Sequence, residues 1–346
     1  MQGITQTIIR FQGRGNALHY ESSGLLEMTN LTIDFTGDGW GRCLHAVKGE
    51  VHLEGIVIMG AKRCWDWRSL SYRGGAGLLL EGNVKGLIRG CMFKENGWYG
   101  LVIADRAAPI IEHNTFTANQ GSGLCYFDQA EGRAMHNLCE GNGVHGIELR
   151  GHCAPYLGEN TCRDNKHCGI AASEAARPHI QANVLEQNQQ NGLFLTDDVE
   201  AAVCDNAVRY NVKDGMLLTG RARPQLINNI CEENQASGIW YSGMTAGEAR
   251  NNHLLRNMHH GILLTGEAAP TLDQNECRDN RQSGIAYHNN SAGTARNNAC
   301  HGNTFYGIMV SDVAAPMLAG NDCRDNGKSC LEVAPSARPR LLDNIV

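Results

Sequence analysis

The sequence predicts an all-β fold: a single-stranded, right-handed parallel β-helix, a solenoid of 23-residue coils, about a dozen of them. Three observations predict it. Eleven glycines recur 23 residues apart, from Gly77, Gly100 and Gly123 to Gly307, each followed by Leu, Ile or Met. Two asparagine columns keep the same period, one from Asn114 to Asn344 and the other from Asn96 to Asn326. Counted from each repeat glycine, positions +1, +3, +11 and +16 are apolar, as at Leu193, Leu195, Val203 and Val208, which is a strand's period of two and not a helix's. Helical solenoid repeats are longer and carry a 3.6-residue period. Strands that recur at one point of each repeat stack in parallel, about 4.8 Å apart, and each coil completes its burial only against its neighbours.

In chain order, residues 1–60 read as an N-terminal cap and first irregular coils, with strands at Thr32-Ile33-Asp34-Phe35 and Gly55-Ile56-Val57-Ile58 and a glycine register off by one. Residues 61–76 interrupt the pattern and predict a projecting loop, and 77–346 follow as regular coils of one continuous domain. The chain stops inside a coil at Asn344-Ile345-Val346. An open parallel edge there calls for an end-to-end contact or a flanking domain.

Within each coil the asparagines suit turns, because Asn tolerates left-handed backbone and its amide can bond the Asn one coil away. Both columns are expected to be structural ladders. Seven of eight prolines share the +9 register; where +9 is Gly132, Gly247 or Gly293, the inward +3 position is Tyr126, Tyr241 or Tyr287, which suggests a ring matched to a missing side chain. Six of fourteen cysteines sit in the inward +16 column (Cys139, Cys162, Cys231, Cys277, Cys300, Cys323), where cysteine acts as a small hydrophobe. No zinc-type spacing occurs, so no metal and no cofactor are expected. Buried thiols and the lack of a signal peptide or transmembrane run favour a cytoplasmic location. A net charge of −6 argues against a nucleic-acid partner, and no membrane partner is expected. The +17 column alternates in sign (Glu140, Arg163, Glu186, Arg209, Glu232), as a solvated face does.

If +1 and +3 point inward, +2 points outward, and that column is mostly apolar: Leu79, Val102, Cys125, Glu148, Ala171, Phe194, Leu217, Trp240, Leu263, Ala286, Met309. A stripe of this kind marks an interface, with Val102, Phe194, Leu217, Trp240, Leu263 and Met309 as the binding candidates; Trp240 and Phe194 could also stack on sugar rings. The alternative is that the chain's own loops cover it. An acidic +5 group, Asp105 and Asp128, then Glu174 and Asp197, could serve acid–base work or bind calcium, although turn carboxylates are commonly just solvated.

The pattern N-x-C/I-x-x-N-x-x-x-G-I, as in Asn275-Glu276-Cys277-Arg278-Asp279-Asn280 leading to Gly284-Ile285, resembles the parallel β-helix repeat proteins. These include carbohydrate-binding and sugar-hydrolase repeat domains and the β-helical region of F-box ubiquitin-ligase receptors. The resemblance covers roughly residues 77–346 and is specific for fold, weak for activity. It implies that a polysaccharide-acting relative, such as a polygalacturonase, would carry catalytic Asp and His just before the glycine. That −1 column holds one carboxylate, Asp214, whereas glycoside hydrolysis normally needs two. For a lyase or epimerase the candidates are Asp214 as base with Lys213 and His260 as electrophile, and His145 for proton transfer. Two functional readings follow. The first is a non-catalytic recognition scaffold binding a partner protein or a glycan along the +2 face. The second is a polysaccharide lyase, glycoside hydrolase or epimerase using that same face.

Overall fold

Alternating burial at the predicted positions winds the chain into coils. The computed structural model describes residues 7–63 and 74–345, and among them the regular structure is strand only. Most of the projected loop at 61–76 lies outside the described residues; Lys62 forms an antiparallel bridge to Gly41. The chain divides into two compact units, Met1–Ile170 and Ala171–Val346. In each, a coil contributes one strand to each of three parallel sheets, here called A, B and C.

In the first unit the opening coil runs Thr7–Phe11, Gly15–Tyr20 and Leu25–Thr29, one strand per sheet, so residues 7–60 already follow the coil pattern with longer strands. From Leu78–Leu80 onward sheet B advances by 23 residues per strand, pairing Leu101 with Leu124 and Leu124 with Ile147. The second unit repeats the register, as in Leu193 with Met216 and Met216 with Ile239. Inward positions are fully buried: Leu193, Leu195, Val203 and Val208 are all at 0 % exposure. The +16 thiols Cys139, Cys231, Cys277 and Cys300 are interior too, and burial pushes the Cys231 thiol far above its ordinary range.

Both asparagine columns are ladders. Asn234 donates from Nδ2 to Asn257 Oδ1 at 3.0 Å and to the Val208 carbonyl at 3.0 Å, while its Oδ1 accepts from the peptide N–H and Nδ2 of Asn211. Every polar atom of the amide is therefore used inside a region that excludes water. The +17 charges pair between coils, Arg163 with Glu140 at 2.7 Å and Arg209 with Glu186 at 2.9 Å, all four residues half-buried.

One expectation is corrected. Gly132, Gly247 and Gly293 are not there to make room for a tyrosine. Each has a positive φ, +94°, +96° and +91°, and a Cβ on Gly132 would lie 2.3 Å from the Pro109 carbonyl oxygen one coil earlier. Backbone conformation and the approach of the neighbouring coil demand glycine.

Candidate functional site: the outer face of sheet B

Three columns share the outside of sheet B. The −1 side chains leave the coil just before the repeat glycine, the +2 side chains point out from mid-strand, and the +4 side chains follow the strand. Their grouping is visible in the first unit, where Tyr99 (−1), Leu79, Val102 and Cys125 (+2) and Ala104 and Phe127 (+4) pack into one outer cluster apart from the coil interior. The +2 column is thus a floor between two walls.

In the first unit that floor is closed. Leu79, Val102 and Cys125 are at 0 % exposure beneath Tyr99 and Phe127, whose rings meet edge-on at 5.7 Å, with Trp98 packed alongside. Val102, expected on an accessible stripe, is therefore core. Its neighbours' rings cover it, as the alternative reading allowed. Polar pairs flank the cluster. Before Leu79 in the column stands His45, whose Nε2 lies 2.5 Å from Glu81 and whose Nδ1 is 3.2 Å from the Asn16 amide. After Cys125 stands Glu148, buried at 3 % exposure, accepting the Ser122 hydroxyl at 2.6 Å and paired with Arg150. Glu148 stood in the column read from sequence, but nothing there signalled an ion pair.

In the second unit the floor is open over four successive coils. Phe194, Leu217, Trp240 and Leu263 are half-buried, while Ala171 and Ala286 on either side of them are buried. Met309 is half-buried beyond Ala286. Asn191, Asp214, Ser237 and His260 form the −1 wall, at 6 %, 4 %, 1 % and 8 % exposure. Thr196, Thr219, Ser242, Thr265 and His288 form the +4 wall, and Trp240 Nε1 donates to Thr265 Oγ1 at 2.9 Å.

One bond recurs at several coils of the −1 wall, although the buried Ser237 and Ser283 hydroxyls do not make it. Asn191 Oδ1 accepts the Asp214 peptide N–H at 3.1 Å, Asp214 Oδ1 accepts that of Ser237 at 2.9 Å, and His260 Nδ1 accepts that of Ser283 at 3.2 Å. In the first unit Ser122 Oγ accepts from His145 and His145 Nδ1 from Cys168, both at 3.2 Å. Residues with a lone pair at that reach suit the column. A histidine there must hold its ring proton on Nε2, so His145 and His260 are neutral donors toward the face. Burial, then the neighbouring His288 and His259, pushes His260 down to about 4; burial, His167 and Arg150 push His145 to about 3. Asp214 moves the other way: burial raises its carboxyl, opposed by the Ser237 N–H and by His259 and Lys213. Lys213 and His259 are exposed on the rim.

The acidic +5 group has a turn role. Asp105, Asp128, Glu174 and Asp197 all have φ between +56° and +62°. Asp105 accepts the Gly82 N–H at 2.9 Å and Asp197 that of Glu174 at 3.0 Å. Among the described residues no group of His, Cys, Asp or Glu is placed to hold a metal ion.

Comparison with known proteins adds the family. The sequence model of the right-handed β-helix region matches residues 9–162, 55–208, 131–248 and 243–346. No curated protein matches the chain. Among solved structures, a single-substitution mutant of the periplasmic alginate epimerase AlgG superposes with a TM-score of 0.59 at 13 % identity, covering 78 % of this chain and 77 % of that one. A second AlgG mutant gives 0.56 at 12 %, covering 78 % and 76 %. The mannuronan C-5 epimerase AlgE4 A-module of Azotobacter vinelandii covers 94 % of this chain and 90 % of its own, at 12 % identity and a TM-score of 0.45.

Proposed function

This chain belongs to the right-handed β-helix family, and from that premise we propose that it is a polysaccharide-acting enzyme that transfers a proton at the carbon next to the carboxylate of a uronate sugar. The observation that carries the reading is the pairing of Asp214 and His260 on one wall of an apolar floor. Asp214 is a buried carboxyl with a raised pKa, which makes its carboxylate a better base. His260 is a neutral ring whose only free polar atom is a donor. Their backbones stand two coils apart, about 9.6 Å along the stack, and the Asp214 carboxylate reaches the Trp240 coil, where its Oδ1 accepts the Ser237 N–H. A sugar lying on the indole would have the Asp214 carboxylate beside it and the His260 donor farther along the same wall. Lys213 on the rim supplies positive charge that a uronate carboxylate needs before its α-proton can leave.

Paired-carboxylate hydrolysis fits less well, because Asp214 is the one carboxylate in the −1 wall of this unit and no acid faces it from Thr196, Thr219, Ser242 or Thr265. The order of the two readings drawn from sequence is thereby reversed, with the enzyme ahead of the non-catalytic scaffold. The test is exchange of the C5 proton of polyuronates into deuterated water, followed by NMR, with ultraviolet absorbance reporting any unsaturated elimination product. Asp214→Asn keeps the acceptor for the Ser237 N–H, as Asn191 shows for its own neighbour, and should lower the exchange rate by at least about 100-fold. Wild-type exchange in that variant, or none by the native protein on any polyuronate, would refute the assignment.

A further inference from the structure

We infer that the glycan groove of the second unit has a built end, made by His288 closing against His260, and that it therefore holds about four sugar units; this rests on the reading above. Three observations converge. The floor changes from half-exposed Leu263 to fully buried Ala286 in one step, then returns to half-exposed Met309. The His260 ring, drawn one coil along by its bond to the Ser283 N–H, comes level with Ala286. From the opposite wall the His288 ring meets it edge-on, with centroids 6.2 Å apart. A methyl floor is what lets the two rings approach, since a Leu or Trp there would hold them apart.

His288 is itself fixed. Its Nδ1 lies 2.8 Å from Ser311 Oγ, and Asp312 is 4.0 Å away. The groups facing the pair from the packed elements are His259, Ser311 and Asp312. The open floor from Phe194 to Leu263 covers four coils, about 19 Å at 4.8 Å per coil, and a pyranose advances an extended glycan by roughly one coil spacing. At this end a chain longer than four sugars must stop at the histidine wall or leave the floor, and the half-exposed floor stops at its other end at buried Ala171. His288 is a specificity-determining residue: it limits length and is not itself a proton carrier.

The experiment is calorimetric titration with a size series of uronate oligosaccharides, trimer to octamer, and a parallel series of neutral β-glucans. In the native protein, affinity should rise with length up to the tetramer and stay within about twofold from there to the octamer. In His288→Ala the hexamer should bind about fivefold or more tighter than the tetramer. His288→Asn, which keeps a partner for Ser311, guards against misfolding, and both variants should melt near the native temperature. Native affinity that keeps rising past the tetramer overturns the wall, as does an unchanged plateau in both folded variants. A plateau at four with glucans but no uronate binding keeps the wall and refutes the uronate assignment; no binding in either series refutes both.

Discussion

Holding His260 neutral makes the fold acid-sensitive in a window that can be calculated. In the folded chain the ring titrates at about 4, against an ordinary value of 6.5, because burial and two nearby histidines disfavour the imidazolium. The folded pKa is depressed, so below 6.5 the unfolded chain binds the extra proton. Stability from this group is fully present above about pH 6.5 and is lost as the pH falls to about 4. A gap of that size is worth about 3 kcal/mol. The perturbation that isolates it is His260→Asn, whose amide oxygen can accept the Ser283 N–H as Asn191 accepts that of Asp214. Urea unfolding of both proteins should be compared from pH 7 to pH 4, with the emission of Trp240, the one tryptophan between residues 171 and 346, as the probe. Native minus variant stability should fall by about 3 kcal/mol across the series, with a slope no steeper than about 1.4 kcal/mol per pH unit. His145 and the other shifted groups remain in both proteins and cancel in the difference. A flat difference would mean that the imidazolium forms in the fold at no penalty, and the assignment of His260 as a neutral Nε2–H donor would fail.

Two further outcomes follow from the same geometry. Asn234→Ala removes four buried hydrogen bonds and strands the Asn211 N–H, so it should destabilise the protein by about 4 kcal/mol in urea unfolding; a loss below about 1 kcal/mol would show that the ladder is relieved by water. Trp240→Ala removes the half-buried ring from the floor and should weaken uronate oligosaccharide binding about tenfold in calorimetry, with only a modest fall in melting temperature. A large fall in melting temperature with unchanged binding would place Trp240 in the core instead of the site.

How much of this was legible in the chain depends on what each column must satisfy. The repeat glycines, asparagines and inward apolar positions are demanded by the coil itself, so Gly192, Asn211 and Val208 announce the fold from sequence alone. The +2 column was legible as outward-facing but not as open or closed. Whether Val102 or Leu217 meets solvent is decided by side chains from other positions, such as Tyr99 and Phe127 in one unit and Thr196 and Thr219 in the other. Glu148 was hidden for the same reason, since its burial depends on Arg150 and Ser122 in +4 and −1 columns. The +5 acids looked like a cluster because sequence shows charge and not backbone; their left-handed φ and their bonds to peptide N–H groups explain them. The glycines of the tyrosine coils were attributed to volume for want of that same backbone information.

The −1 column also shows how a stacking requirement can assign chemical roles. Where the −1 side chain reaches the next coil's peptide N–H, as at Ser122, His145, Asn191, Asp214 and His260, accepting that bond consumes one lone pair. A serine or asparagine loses nothing that acid–base chemistry needs. A histidine loses its basic nitrogen and becomes a donor, at His145 as at His260. An aspartate loses one of two oxygens and keeps the other, with its pKa raised by the burial that stacking imposes. Where that bond is made, a histidine can serve only as donor and the base is a carboxylate. Between Tyr99 and Ser329 the column contains a single carboxylate, Asp214. On the reading proposed above, that residue is the base, and a sugar losing its proton to it would lie on the coil carrying Trp240.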